Sequence, residues 1–359
     1  MHPDETEASI AKVSRNTAKN LSKILRQNLP ENDLEQQRAI AGVQAWRSQT
    51  AGPTRDCFDV VRDYAKNVNG AVATYRLKRV SSIVSKIRRP GTNFELGTLD
   101  DIGGCRLIVP SVEDLYQAKS HLAQALRVPE RKIKDYVENP ANSGYRSCHL
   151  LTQRTTADGT YRVEVQIRTK LQHVWATTVE VADTIYGTQL KSPAGFEEAT
   201  PELEDTENFF KLASNFFALL ENCPTLNGFP TELHETRAEL LGAPRTTRIL
   251  EDLEATSEAV MLVPIEEVER PETYLLAFNT STQALFVTPF EANEMTRALS
   301  MYDAVEKSNM EAINSGQLPL ADNVVLVQAH NEKDLKIAYP NYSAHAPDFV
   351  RILRENLDH

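Results

Sequence analysis

The chain is 359 residues long, room for two or three domains that each bury an ordinary core. Apolar residues make up 41% and charged ones 25%, a soluble globular composition; no apolar run approaches the roughly 18 residues a membrane helix needs, and the opening MHPDETEASI lacks a signal-peptide core. The four cysteines, Cys57, Cys105, Cys148 and Cys223, show no CxxC spacing, so reduced thiols in a cytoplasmic protein are expected, without a zinc site or a disulfide framework.

The formal charge of −11 is unevenly spread. Residues 70–190 carry 17 Lys+Arg against 12 Asp+Glu, whereas residues 191–359 carry 12 against 29. A basic middle suits an anionic ligand, and an acidic end can either compete with that ligand or simply keep the surface soluble.

In chain order, residues 8–29 read as a helix with Ile10, Val13, Leu21, Ile24 and Leu25 on one face. Lys12, Arg15, Lys19, Lys23 and Arg26 fall opposite, as a solvated face or as a basic rail for a nucleic-acid backbone. Leu29-Pro30 ends it; a second helix follows over 31–49 and a third over 53–69. Residues 75–89 (YRLKRVSSIVSKIRR) read as a further helix, with Lys78, Ser82 and Lys86 at i, i+4 and i+8 and Arg76 nearby, a polar face suited to a triphosphate.

A loop rich in Gly, Pro and Asn leads to Asp101, a strand at Arg106–Val109 and a helix over 111–126. Past Arg131, Lys132 and Lys134, a polar bend carries Tyr145. Asp158-Gly159 then predicts a hairpin of 149–155 with 160–169. Period-two alternation puts Glu164, Gln166 and Arg168 on one face of its second strand and Val163, Val165 and Ile167 on the other. A carboxylate on a rigid strand opposite a second one, Asp101, is a way to hold magnesium against a phosphate chain.

A helix over 170–186 and a linker at 187–201 follow, then an amphipathic helix whose paired phenylalanines need a cover, and a long helical stretch to about 258. Strands at 274–280 and 284–290, a helix at 291–313 and a strand at 323–329 make a ββαβ unit without Cys/His ligands, ahead of a terminal helix. The segments divide as 1–69 N-terminal helices, a 70–190 domain around Asp101 and Glu164, 191–260 helical linker and 261–359 C-terminal unit.

Four ordered motifs stand between 76 and 169: RxKxxxSxxxK (Arg76, Lys78, Ser82, Lys86), DxxGxR (Asp101, Gly104, Arg106), KDY…NxGYxSxH (Lys134 to His149) and EVQIRT (Glu164 to Thr169). Together they resemble the synthetase domain of the RelA/SpoT homologue family over about 70–187. The resemblance implies an α/β (α+β), nucleotidyltransferase-like fold, a mixed central sheet flanked by helices, that transfers pyrophosphate from ATP to a ribose 3′-hydroxyl. It implies Arg76 and Arg106 around the adenine, and Lys78, Ser82 and Lys86 on the phosphates. Asp101 and Glu164 would hold Mg²⁺, with Glu164 also a candidate base, and Tyr145 would stack on the acceptor base. Lys134 and Asn142 would bind the acceptor, and His149 would support it.

The C-terminal extension makes the chain most like the toxic small alarmone synthetases of the fused toxin–antitoxin CapRel type. There a zinc-finger-like unit without zinc ligands holds the enzyme off until a phage capsid protein binds. Tyr339-Pro340-Asn341-Tyr342 matches that group's YxxY element, which implies Tyr339 and Tyr342 as regulatory residues at the ATP site. The resemblance implies the 3′-CCA end of tRNA as acceptor. The rivals are GDP or GTP with the same site, and a non-catalytic nucleotide sensor, against which both retained acids count.

Overall fold

The computed structural model describes residues 12–30, 33–188, 190, 200–257, 261–264, 268, 271–279, 281–282, 284–321, 323–339 and 347–357. In chain order these form α1 (Arg15–Arg26), α2 (Leu34–Ala65), β1 (Val72–Leu77), α3 (Val80–Arg88), β2 (Gly103–Val109), α4 (Val112–Ala125), β3 (Ile133–Asp135), β4 (Cys148–Thr156), β5 (Gly159–Thr169) and α5 (Lys170–Tyr186). Then come α6 (Pro201–Leu220), α7 (Leu233–Gly242), α8 (Thr246–Ser257), β6 (Met261–Pro264), β7 (Thr273–Asn279), β8 (Ala284–Phe290), α9 (Met295–Asn314), β9 (Asn323–Ala329), α10 (Glu332–Ala338) and α11 (Pro347–Leu357).

The strands make one mixed nine-stranded sheet in the order β3-β4-β5-β2-β1-β9-β7-β8-β6, flanked by helices. β2 and β5 run parallel, and β4 and β5 form the hairpin expected from Asp158-Gly159. The ββαβ unit does not stand apart. β9 pairs antiparallel with β1, from Thr74↔Ala329 to Leu77↔Leu326, so its strands extend the sheet of the motif-bearing half.

Three expectations change. Arg76 belongs to β1 and Lys78 to the turn after it, not to a helix; only Val80–Arg88 is helical. β1 lies between two neighbours with Tyr75 and Leu77 buried, and an inner strand covered on both faces shows no alternation that marks it in sequence. The second and third predicted helices are the single helix α2, with Pro53 inside it. An internal proline costs about 3 kcal/mol; the burial of Ala51, Pro53, Thr54, Cys57, Phe58 and Val61 along one flank offsets it. The long helix to 258 is two, α7 and α8, interrupted at Ala243-Pro244.

On one face of the sheet α2, α4 and α9 bury the largest core, including Tyr75, Leu107, Val165, Tyr302 and Leu326. On the other face, α10 caps an apolar patch of Val72, Ile108, Leu276, Val325 and Val327 through Leu335, Ala338 and Tyr339. The paired phenylalanines of α6 (Phe209, Phe210, Phe216, Phe217) are covered by α5, α8 and α11, with Phe349 of α11 against three of them. All four cysteines are free and buried, and burial pushes the Cys57 and Cys223 thiols up to about 11. Among the described residues no helix is long and apolar enough to cross a membrane.

One buried contact ties the C-terminal unit to the N-terminal helices. Arg47 of α2 has a fully buried side chain; it pairs with Asp303 and Glu306 of α9 and lies 4.1 Å from the Tyr302 ring centre. Glu306 also accepts from the Val80 backbone N–H at 3.1 Å, at the N-terminus of α3.

Candidate active site

Strand register decides which side chains can meet. Gly104 stands opposite Arg76 on one side and Glu164 on the other; Arg106 stands opposite Thr74 and Gln166; His149 stands opposite Gln166 and Lys134. Because side chains alternate, Arg76, Arg106, Glu164, Gln166, Arg168, His149 and Lys134 all share the face that α10 partly covers.

At one end of this face Asp101, just before β2, receives two ammonium groups on Oδ2: Lys78 Nζ at 2.9 Å and Lys86 Nζ at 2.8 Å. Burial raises the Asp101 carboxyl, but the two lysines outweigh it and hold the group well below its ordinary value. Lys78, Ser82, Lys86 and Asp101, with Ser81, Ser85 and Arg89, line an open pocket of about 500 Å³. The phosphate-binding set expected from the motifs is therefore brought together, with Lys78 arriving from the end of β1 and Ser82 and Lys86 from α3.

Next to it runs a chain of polar contacts. His149 Nδ1 donates to Glu164 Oε1 at 2.9 Å, and His149 Nε2 meets the Tyr145 hydroxyl at 2.8 Å. Arg168 Nη2 donates to that hydroxyl at 2.7 Å and to Gln166 Oε1 at 3.0 Å, while Gln166 Nε2 donates to Glu164 Oε2 at 2.7 Å. The Arg168 guanidinium lies 5.1 Å from the Tyr145 ring centre, and Tyr136 meets the rings of Tyr145 and His149 edge-on. Charges alternate along this chain. Burial raises the Glu164 carboxyl, yet His149 brings it down to about 2. Burial disfavours a charged His149, yet Tyr145 and Glu164 raise it to about 9. Burial raises the Tyr145 phenol, and Arg168 then His149 lower it to about 7.

The bend that presents Tyr145 is held from behind. Gly144 has φ +89, and a Cβ there would come within 2.9 Å of Ser214 Cβ and 3.3 Å of the Trp175 ring. Arg146 Nε donates to Ser214 Oγ at 3.3 Å, so α6 braces the loop. Tyr145 remains partly exposed rather than sealed in a core. Lys134 is exposed beside His149; Asn142 is exposed in the loop and is not drawn into the polar chain.

The residues fit a divalent cation. Asp101 Oδ1 is buried without a hydrogen-bond partner, and Glu164 lies close enough for the two carboxylates to repel. Two such acids suit a magnesium ion whose remaining ligands are phosphate oxygens and water. Among the described residues no cluster of three or more His, Cys, Asp or Glu could cage a metal alone.

The far end of the face is occupied by the chain itself. The Tyr339 ring sits with the Arg106 guanidinium 5.5 Å from its centre, and Arg76 is close enough to act on its hydroxyl. Arg106 Nη1 donates to Ala338 O and His173 Nε2 meets Ile337 O, both at 2.9 Å. Tyr339 is 4% exposed. Tyr342 lies outside the described residues.

Sequence reasoning left out Gln166, Arg168 and His173 as site residues. The first two were detectable, since alternation along β5 puts them beside Glu164. His173 lies in the first turn of α5, whose start is set by the Thr169–Gln172 capping box, and had no signal of its own. The basic rail on α1 is partly spent: Lys12 pairs with Asp158, Lys19 lies 4.0 Å from Glu95, and Arg26 donates to Phe94 O.

Residues 75–191 match the family model described as a region found in RelA/SpoT proteins. The chain is 34% identical over 110 residues to the GTP pyrophosphokinase YwaC of Bacillus subtilis, which is 28% of this chain and 52% of that protein. It is 35% identical over 109 residues to the GTP pyrophosphokinase YjbM of the same organism, 29% of this chain and again 52% of the relative. The chain thus spans about half the length of these curated relatives. A crystal structure of the small alarmone synthetase 1 from Bacillus subtilis, bound to its product pppGpp, aligns with 49% of this chain and 89% of its own, at 25% identity and a TM-score of 0.37.

Proposed function

We propose that the chain is an ATP-dependent pyrophosphokinase that transfers pyrophosphate to a ribose 3′-hydroxyl and that its own C-terminal segment holds it closed. The observation that carries the reading is the Tyr145–His149–Glu164 chain standing beside Asp101, Lys78 and Lys86. The relatives named as GTP pyrophosphokinases support the same reaction class.

In this reading the acceptor base stacks on Tyr145 and its 3′-hydroxyl is held at Glu164. The hydroxyl oxygen attacks the β-phosphorus of ATP, the bond from that phosphorus to the α-bridging oxygen breaks, AMP leaves with the electron pair, and Glu164 takes the hydroxyl proton. A carboxylate held near 2 is a weak base. That suits a loose phosphoryl transition state, in which the proton leaves late and positioning and charge neutralisation supply most of the rate. Lys78 and Lys86 neutralise the triphosphate, with Ser82 beside them, and imidazolium His149 keeps Glu164 ionised. Magnesium held by Asp101 and Glu164 would add charge neutralisation at the transferred phosphates.

The adenine would lie on Arg106 and Arg76, where Tyr339 now lies, so ring and nucleotide compete. That supports an autoinhibited enzyme, and at its finest a toxin–antitoxin fusion released when a phage capsid protein binds the C-terminal unit. For the acceptor, the names of the relatives favour GDP or GTP. The exposed cations Arg131 and Lys134 beside the His149 strand favour the 3′ end of a tRNA, whose backbone needs such contacts.

Incubating γ-³²P-ATP with deacylated tRNA, GDP or GTP, using the full chain and Tyr339→Ala, separates these outcomes. Label on tRNA or on the guanosine nucleotide names the acceptor, and no label from either protein leaves a non-catalytic sensor. Substitution is the cleaner release, because truncation near 260 would strip β1 of its β9 partner and leave Arg47 buried without its acids.

A further inference from the structure

The segment over the ATP side presents more than a ring. It offers a flat aromatic on Arg106 and, two residues earlier, a carbonyl that takes the Nε2 of His173. We propose, resting on the reading that Tyr339 stands where adenine binds, that His173 is a specificity residue for the donor nucleotide: its Nε2–H, now on Ile337 O, reads N1 of the adenine ring and selects ATP over GTP.

The chemistry of the position supports a fixed donor. His173 is 2% exposed at the start of α5, packed beneath Arg106 and Arg168, with Glu180 the acid that faces it. Burial, then the two guanidinium groups, keep the imidazole uncharged, so it carries one N–H, and the Ile337 carbonyl sets that proton on Nε2. The Ile337 carbonyl now holds that N–H as a ring nitrogen acceptor would. Adenine N1 accepts, whereas guanine carries a proton at N1, so two donors would face each other. A buried donor left against a donor is what makes a polar site reject a near-isostere strongly. When Tyr339 and Ile337 withdraw, the same N–H is exposed to the ligand.

The test is binding of the non-hydrolysable analogues AMPCPP and GMPCPP by calorimetry, with saturating GDP present to fill any guanosine-binding acceptor side, to Tyr339→Ala and to Tyr339→Ala carrying His173→Ala or His173→Gln. Tyr339→Ala is expected to bind AMPCPP at least tenfold more tightly than GMPCPP. His173→Ala should lose about tenfold in AMPCPP affinity and shrink the preference below threefold, since one hydrogen bond of about 1.4 kcal/mol is a factor of ten. His173→Gln, which keeps a donor near the Nε2 position, should restore both, a rescue that a purely structural role of the ring does not give. An unchanged preference in a folded His173→Ala protein overturns this inference and leaves the closed-state reading standing. Failure of Tyr339→Ala to bind either analogue overturns both.

Discussion

Replacing Glu306 with alanine should weaken the whole protein, although the residue lies more than 200 positions from the helix it supports. The Arg47 guanidinium is fully buried, and its partners are Asp303, Glu306 and, at 3.4 Å, the Lys78 carbonyl. Breaking one partner of a buried ion pair costs about 3–5 kcal/mol; because Asp303 stays, the lower half of that range applies. Glu306 also closes the α3 N-terminus through the Val80 N–H, and losing a cap adds about 1 kcal/mol. The sum, roughly 4–5 kcal/mol, is a large part of the roughly 5–15 kcal/mol a domain has. Urea unfolding followed by tryptophan fluorescence reads it directly, because Trp46 adjoins Arg47 and Trp175 lies in α5, in separate cores. With one continuous sheet, both reporters should shift together to lower urea. A loss below about 1 kcal/mol, or an early wild-type transition seen by circular dichroism that neither tryptophan follows, would refute the claim that this contact welds the halves.

Tyr145→Phe keeps the ring but removes the hydroxyl that joins Arg168 to His149; kcat should fall roughly 10- to 100-fold with KM for the acceptor little changed, since hydrogen bonds to charged partners are worth about 1.5–3 kcal/mol. Gly144→Ala meets both a positive φ and Ser214, so it should cost about 1–3 kcal/mol in urea unfolding and displace Tyr145 enough to lower the rate. The His149–Glu164 pair should make stability pH-dependent in a defined window. His149 titrates near 9 in the fold, above its ordinary 6.5, so its contribution is full below 6.5 and fades as pH rises through 9. Glu164 is depressed to about 2 from 4.5, so its contribution is full above 4.5 and fades as pH falls through 2. The stability gap between wild type and His149→Asn should therefore be widest between 4.5 and 6.5, on the order of 2 kcal/mol for the coupled pair. Measured in a Tyr145→Phe background, which removes the phenol lowered to about 7 beside the same imidazole, a gap that grows from pH 7 to 10 would contradict the assignment.

Much of the site could be read from residue order because its side chains come from strands with simple alternation. Glu164, Gln166 and Arg168 fall on one face of β5 whatever the rest of the chain does, and the hairpin turn brings His149 opposite. Arg76 lies on a strand and Lys78 just after it, where the sequence pattern predicts helix, for a physical reason. β1 is buried on both sides, so it lacks the period of two, and in the sequence pattern the helical stripe of α3 runs back over it. The site survived that error because a strand end and the helix after it still converge on Asp101. Pro53 was a false stop, since burial along α2 outweighs one missing hydrogen bond. What no local pattern could reveal is contact across the chain: Arg47 with Asp303 and Glu306, β9 on β1, and His173 under Ile337 all join residues more than 160 positions apart.

The most direct measurement is the rate at which ATP becomes AMP in the presence of tRNA or GDP, compared among the full chain, Tyr339→Ala, and Tyr339→Ala with Glu164→Gln. Losing a buried ring and its cation–π contact, together worth more than about 1.4 kcal/mol, should raise turnover tenfold or more. Removing the carboxylate should then abolish it. Equal rates for the full chain and Tyr339→Ala would contradict an ATP site closed by the chain's own tyrosine, and turnover that persists without the Glu164 carboxylate would contradict its place at the acceptor hydroxyl.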